Sequence, residues 1–147
     1  FQGKRCIVTP TKQTDPRALE TVVRMWEVAG SEVVRMDADK HDRIVAAISH
    51  LPHMVAYSLV NAVGGYDRLD EGILSYSAGG FRDFTRIASS DPAMWRDIAL
   101  MNRSAVLEMM DFFSRHFQAL RSLVEDGNES GLEEFFSRSK KSRDSIL

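Results

Sequence analysis

The chain has 147 residues, 44% of them hydrophobic and 27% charged, the make-up of an ordinary folded protein with room for one sizeable core. With 19 basic and 21 acidic residues its net charge is −2, which lacks the cationic excess that binding nucleic acid or a polybasic contact with a membrane requires. No apolar run approaches a membrane span and nothing reads as a signal peptide. The single cysteine, Cys6, cannot form an internal disulfide, which fits a reducing, cytoplasmic compartment.

The chain opens Phe1-Gln2-Gly3 without a methionine. That triplet matches the end of a common protease-cleavage tag and equally suits native chain leading into a strand; either way the sequence reads as a fragment of something longer. Lys4 to Thr9 (KRCIVT) is β-rich and stops at Pro10, so a strand is expected. Asp15 followed by Pro16 is a helix start, and Gly30 stands where a helix C′ residue belongs. Leu19, Val22, Val23, Trp26 and Ala29 recur between them at helical spacing. Residues 31–36 (SEVVRM) predict a second strand. Strand, helix and strand in so short a span form a βαβ unit, too small to be a sheet by itself, and read as the closing edge of a Rossmann-type α/β domain. That assigns residues 1–38 to the end of one domain and 39–147 to an all-helical second one.

From Asp37 onward the pattern is helical. A helix capped at Asp39 or nearby carries Ile44, Val45, Ala47 and Ile48 and is expected to kink or break at Pro52. Apolar residues resume from Met54 to Val60 until Gly64-Gly65, and a further segment spans roughly 67–77. Ser90-Asp91-Pro92 repeats the start signal. From there Trp95, Ile98, Met101, Ala105, Met109, Phe112, His116, Leu120 and Leu123 predict one long helix up to Gly127, spanning ~45–50 Å. A domain of ~110 residues is only ~34 Å across. The overshoot, and the wide stripe of Met109, Met110, Phe112, Phe113 and Phe117, predict a homodimer built on this helix. Helices after Ser130, with Leu132, Phe135 and Phe136, are the alternative cover for that stripe.

Four groups of residues bear on chemistry. His41, Asp42, His50 and His53 have the types that metal-dependent phosphohydrolases use, but such sites need more ligands than the chain supplies with His116, so no metal is expected. Cys6, inside a strand and without a Cys-His-Asn pattern, reads as packing. The Met and Phe residues of the long helix read as core or interface. The fourth group lies in AGGFRDFTRIASSDPAMWRD, residues 78–97: Asp83 and Arg86 are three apart, neighbours on a helix, and a guanidinium held by a carboxylate suits an anionic ligand. Spacing alone favours a surface ion pair. The flanking glycines and aromatics favour a pocket instead, with apolar walls and close backbone approach.

HDRIVAAISHLPHMVAYSLV, followed by GGFRDFTRIASSDPAMWRDI, resembles the C-terminal helical domain of the prephenate dehydrogenases, including the cyclohexadienyl and arogenate dehydrogenases. The order of HD, SHLPH, a glycine pair, F-x-D-F-T-R-I-A and DP-x-M-W carries the resemblance, which covers essentially the whole chain. It implies a mainly α fold with a long central helix, preceded by a βαβ remnant of a nucleotide-binding domain. It also implies oxidative decarboxylation of prephenate to 4-hydroxyphenylpyruvate, in tyrosine biosynthesis, by a cytoplasmic homodimer that uses NAD or NADP. By motif position Arg86 grips a substrate carboxylate, His53 lines the pocket, Asp83 joins the same polar network and Trp95 forms a wall. Gly79 and Gly80 admit the ligand to the backbone. No G-x-G-x-x-G fingerprint is present, so no cofactor-binding residue is expected in this chain. The family's catalytic histidine lies upstream of the matching region. The chain alone is therefore expected to be inactive, with its partners limited to a small-molecule substrate and a second copy.

Overall fold

Two short strands, β1 (Arg5–Val8) and β2 (Glu32–Arg35), pair in parallel with Arg5 opposite Glu32 and Val8 opposite Arg35. Parallel neighbours need a crossover, and α1 (Pro16–Val28) provides it. Asp15 accepts the Arg17 N–H at 2.9 Å, with Pro16 at the first helical position, so the helix starts where its cap chemistry directs. It ends at Gly30, whose φ of +89° lets the Ser31 N–H reach back to the Trp26 carbonyl at 3.0 Å. The Gly30 carbonyl in turn accepts the Gly3 N–H at 2.9 Å, and the Phe1 ring stands edge-on to Trp26 with centroids 4.9 Å apart. The first three residues are thereby packed against the end of α1. This computed structural model describes residues 1–67 and 72–146, and the chain is mainly α-helical beyond the βαβ unit.

The expected break at Pro52 does not occur. Asp37 caps α2 (Ala38–Val45), accepting the Asp39 and Lys40 N–H groups. A π-helical turn (Ala46–His50) then leads directly into α3 (Leu51–Asp67). Proline removes an N–H and crowds the carbonyl four residues back. The wider turn ahead of it absorbs both: the Leu51 N–H bonds the Ala46 carbonyl, five residues away. Gly64 and Gly65 likewise lie within α3 and do not end it. The resulting run, Ala38–Asp67, has 30 residues and by length and composition is apolar enough to cross a membrane, a correction to the reading of its two halves as short segments. Its Ala46 and Ala56 are fully buried inside the protein.

Residues 68–71 of the segment expected at 67–77 lie outside the described residues; Ile73–Tyr76 forms a 3-10 turn. α4 (Gly79–Thr85) follows and passes into a second 3-10 turn, Arg86–Ser89. Asp91, with Pro92 behind it, caps α5 (Pro92–Met101) by accepting the Met94 N–H at 2.7 Å. The single long helix expected from here to Gly127 is divided. Asn102, at φ −102° and ψ 33°, leaves the helical region, and α6 (Arg103–Glu125) starts anew. Its 23 residues span about 35 Å, shorter than the ~45–50 Å expected. Gly127, at φ +60°, closes α6, and Asn128 starts α7 (Glu129–Asp144) by accepting the Gly131 N–H.

The chain divides into two compact units, Phe1–Val106 and Leu107–Leu147. The first holds the buried apolar residues Val23, Ala46, Ala56, Trp95, Ala105 and Val106. In the second, Met110, Phe112, Phe113 and Phe117 of α6 and Phe136 of α7 are exposed, while Leu132 and Phe135 are half-buried.

Candidate functional site

The Phe1–Val106 unit gathers the polar and aromatic residues singled out by the sequence around α3. His53, near the start of α3, lies flat against Trp95 of α5, with ring centroids 3.6 Å apart and planes inclined by 21°. His50, in the π turn, meets the same indole edge-on at 6.0 Å. Trp95 is 7% exposed, and its Nε1 has no hydrogen-bond partner among the described residues. An unmet buried donor costs about 1–3 kcal/mol, so packing alone is a poor reason for a tryptophan at this position.

One turn beyond His53 on the same face, the Tyr57 hydroxyl donates to the Ser90 carbonyl at 2.8 Å. That bond ties α3 to the end of the Arg86–Ser89 turn. The other end is held by Thr85, which is buried and donates its hydroxyl to the Phe81 carbonyl at 2.6 Å. Arg86 is thus exposed on a backbone fixed at both ends. The expected Asp83–Arg86 ion pair is not made, and among the described residues neither side chain joins a salt bridge. Arg86 opens the 3-10 turn that continues α4, whereas the Asp83 side chain is turned back along α4. Among the described residues no carboxylate lies within ion-pair distance of the exposed Arg86 guanidinium. Asp83 leans toward the start of α4, its Oδ2 4.0 Å from where a Cβ on Gly79 would stand. Gly79 and Gly80 are exposed, and a Cβ at Gly80 would meet open space. Their backbone N–H groups open α4 without a side-chain cap.

The histidines are separated by their hydrogen bonds. His53 Nδ1 lies 2.9 Å from the Ser49 carbonyl and must donate to it, which leaves Nε2 as its outward atom. His50 Nδ1 faces the Asn102 side chain, and His41 Nδ1 lies 3.0 Å from the Asp42 carboxylate. Burial pushes the His50 imidazole below its ordinary 6.5; nearby Asp42 opposes this shift, and His53 and His41 add to it. Among the described residues no group of three or more His, Cys, Asp or Glu is placed to hold one metal ion. Tyr57 and Asn102 were not legible as site residues in the sequence. Tyr57 stands four residues after His53 in an apolar run, and Asn102 is a weak helix former inside an otherwise helical pattern, the only signals either carried.

A βαβ crossover leading into a helical body, with two histidines packed on one buried tryptophan, defines a mainly helical domain that follows the edge of an α/β unit. The family model "Prephenate dehydrogenase, dimerization domain" matches residues 37–138. Cyclohexadienyl dehydrogenase of Zymomonas mobilis is 39% identical over 144 residues, 97% of this chain and 49% of that protein. Prephenate dehydrogenase of Bacillus subtilis is 38% identical over 146 residues, 99% of this chain and 39% of that protein. The crystal structure of A. aeolicus prephenate dehydrogenase in complex with hydroxyphenyl propionate and NAD+ superposes with a TM-score of 0.93 at 39% identity, covering 100% of this chain and 51% of that one. The chain belongs to the prephenate dehydrogenase family and contains its dimerization domain. It spans about half the length, or less, of the relatives it matches.

Proposed function

We propose that this chain is the C-terminal part of a prephenate dehydrogenase, which carries out oxidative decarboxylation of prephenate to 4-hydroxyphenylpyruvate in the cytoplasmic synthesis of tyrosine. Residues 1–38 are the end of its nucleotide-binding domain, and 39–147 the helical domain that dimerises and completes the substrate site. The family match beginning at residue 37 supports that boundary. The observation that carries the reading is Arg86, an exposed guanidinium that pairs with no carboxylate among the described residues, on a turn tethered by Tyr57 to the helix that presents His53.

In this reading Arg86 binds a carboxylate of the dianionic substrate through paired N–H donors. His53, with Nδ1 committed to the Ser49 carbonyl, turns Nε2 toward the ligand, and Trp95 provides the flat wall for its ring. Gly79 and Gly80 allow the ligand to approach the backbone, and Asp83 holds the polar side of the entrance. The chain has no glycine-rich phosphate loop, and its own residues do not fit a dinucleotide. Its chemistry is on the substrate side: binding, orientation and exclusion of water. NAD or NADP, held mainly by the nucleotide-binding domain, would supply the hydride acceptor. The second copy is recruited by the exposed Phe113 and Phe117 of α6. Arogenate, the substrate of an arogenate or cyclohexadienyl dehydrogenase, fits the same arginine, since it carries carboxylates as prephenate does.

Reduction of cofactor by the full-length protein with prephenate or arogenate tests the proposal, comparing the parent with Arg86→Ala. Lost charge-assisted hydrogen bonds cost about 1.5–3 kcal/mol, so KM should rise roughly tenfold to more than a hundredfold. A parent inactive with both substrates and either cofactor refutes the assignment, and an unchanged KM removes Arg86 from the site.

A further inference from the structure

We propose that Asn102 is a positioning residue, which fixes His50 as the neutral tautomer protonated on Nε2 and, through the ring contacts of His50 and Trp95, sets the orientation of His53. Its role for substrate rests on the dehydrogenase reading above; its effect on the tautomer does not.

The argument begins with a carbonyl. Asn102 Nδ2 lies 2.8 Å from the Asp42 backbone oxygen, which can only accept, so the amide must present its nitrogen on that side. The same nitrogen lies 3.3 Å from His50 Nδ1. Having given one hydrogen to Asp42, it directs the other to His50, and Nδ1 must then carry a lone pair. The ring proton is left on Nε2. Protonation of Nδ1 would set an N–H against an NH2 group, a clash of donors. Burial acts in the same direction, and the titratable groups that act on His50 are Asp42 and His41 of α2 and His53 of α3, while Trp95 and Asn102 are uncharged.

His53, three residues on, has the opposite arrangement, with its proton on Nδ1 held by the Ser49 carbonyl. Two histidines on either side of Pro52 are thus locked in complementary tautomers, and both touch one indole, His50 by its edge and His53 by its face. Asn102 is placed to do this by the interruption between α5 and α6. With φ −102° and ψ 33° it leaves the helix, while its N–H still bonds the Ile98 carbonyl and its own carbonyl accepts from Val106, both at 3.0 Å. Its side chain reaches residues 60 and 52 positions earlier in the chain.

Long-range 1H–15N spectra of 15N-histidine-labelled full-length protein at pH 7.5 test this without any substitution. The expected pattern for His50 is a protonated Nε2 and an unprotonated Nδ1, the reverse of His53. A His50 protonated on Nδ1, or charged, overturns the proposal. In Asn102→Leu the His50 midpoint should move upward toward 6.5, with tautomer exchange, and KM for prephenate should rise about tenfold with kcat within threefold. Asn102→Gln, which keeps the amide, should recover part of both. An unmoved titration in a folded Asn102→Leu protein also overturns it. Failure of the dehydrogenase reading is seen separately, as a parent without activity whose histidine tautomers are nevertheless as expected.

Discussion

The two compact units solve the burial problem in opposite ways. In Phe1–Val106, side-chain hydrogen bonds cross long stretches of sequence: Tyr57 to Ser90, Asn102 to Asp42 and Asn102 to His50. In Leu107–Leu147 the side-chain hydrogen bonds and ion pairs are local, none among the described residues reaching beyond four residues, as with His116 to the Phe112 carbonyl and Arg121 to Glu125. The first unit is held by contacts that specify where particular rings and carbonyls stand. The second is a pair of helices whose large side chains, Phe112, Phe113 and Phe117 among them, stay exposed. Directional contacts make a site, and apolar surface without direction makes an interface, since burial is favourable wherever a matching surface supplies it.

That contrast can be broken at either unit. The largest effect is expected from Phe113→Ser with Phe117→Ser. At about 1.5–3 kcal/mol for each phenylalanine buried in both protomers, a dimer should separate into monomers at micromolar concentration while helicity is kept. Sedimentation velocity and circular dichroism together read this, and an unchanged assembly would place the dimer contact elsewhere. Next is Trp95→Ala, which removes a buried ring touched by both His50 and His53 and should cost about 3–5 kcal/mol on urea unfolding. A loss below 1 kcal/mol would mean that the indole is not part of the core. Tyr57→Phe removes only the hydroxyl bond to Ser90, worth about 0.5–1.5 kcal/mol. Its signature is a raised KM from a loosened Arg86 turn with little change in melting temperature.

The smallest effect is pH dependence. His50 has its folded pKa below the ordinary 6.5, so the unfolded chain binds the extra proton first. Its stability contribution is therefore full above about pH 6.5 and declines as pH falls through the folded value. Urea midpoints between pH 8 and 5 should fall on the acid side, with the fall reduced in His50→Gln. A midpoint that rises on acidification would contradict the sign.

Much of this was legible because it is local. Asp15-Pro16, Gly30 and Asp91-Pro92 are helix punctuation whose chemistry acts within four residues, and each works where the sequence places it. The family motifs brought His53, Arg86 and Trp95 into one list before any geometry was known. The sequence misled where one local signal had two physical answers. Pro52 can break a helix or be absorbed by a π turn, and the apolar period through residues 98–105 continues whether or not Asn102 steps out of it.

Taken by itself, the sequence determined the mainly helical class, the βαβ start, the caps and the family, all properties of residues near one another or of a motif in order. Only the tertiary structure decided that Asp83 and Arg86 make no ion pair, that His50 and His53 share one indole, and that Asn102 meets Asp42 and His50. The ring and amide contacts depend on the packing of the Ala38–Asp67 run against segments some 30 to 60 residues away in the chain, and the period of a helix does not reveal which neighbour its face will meet.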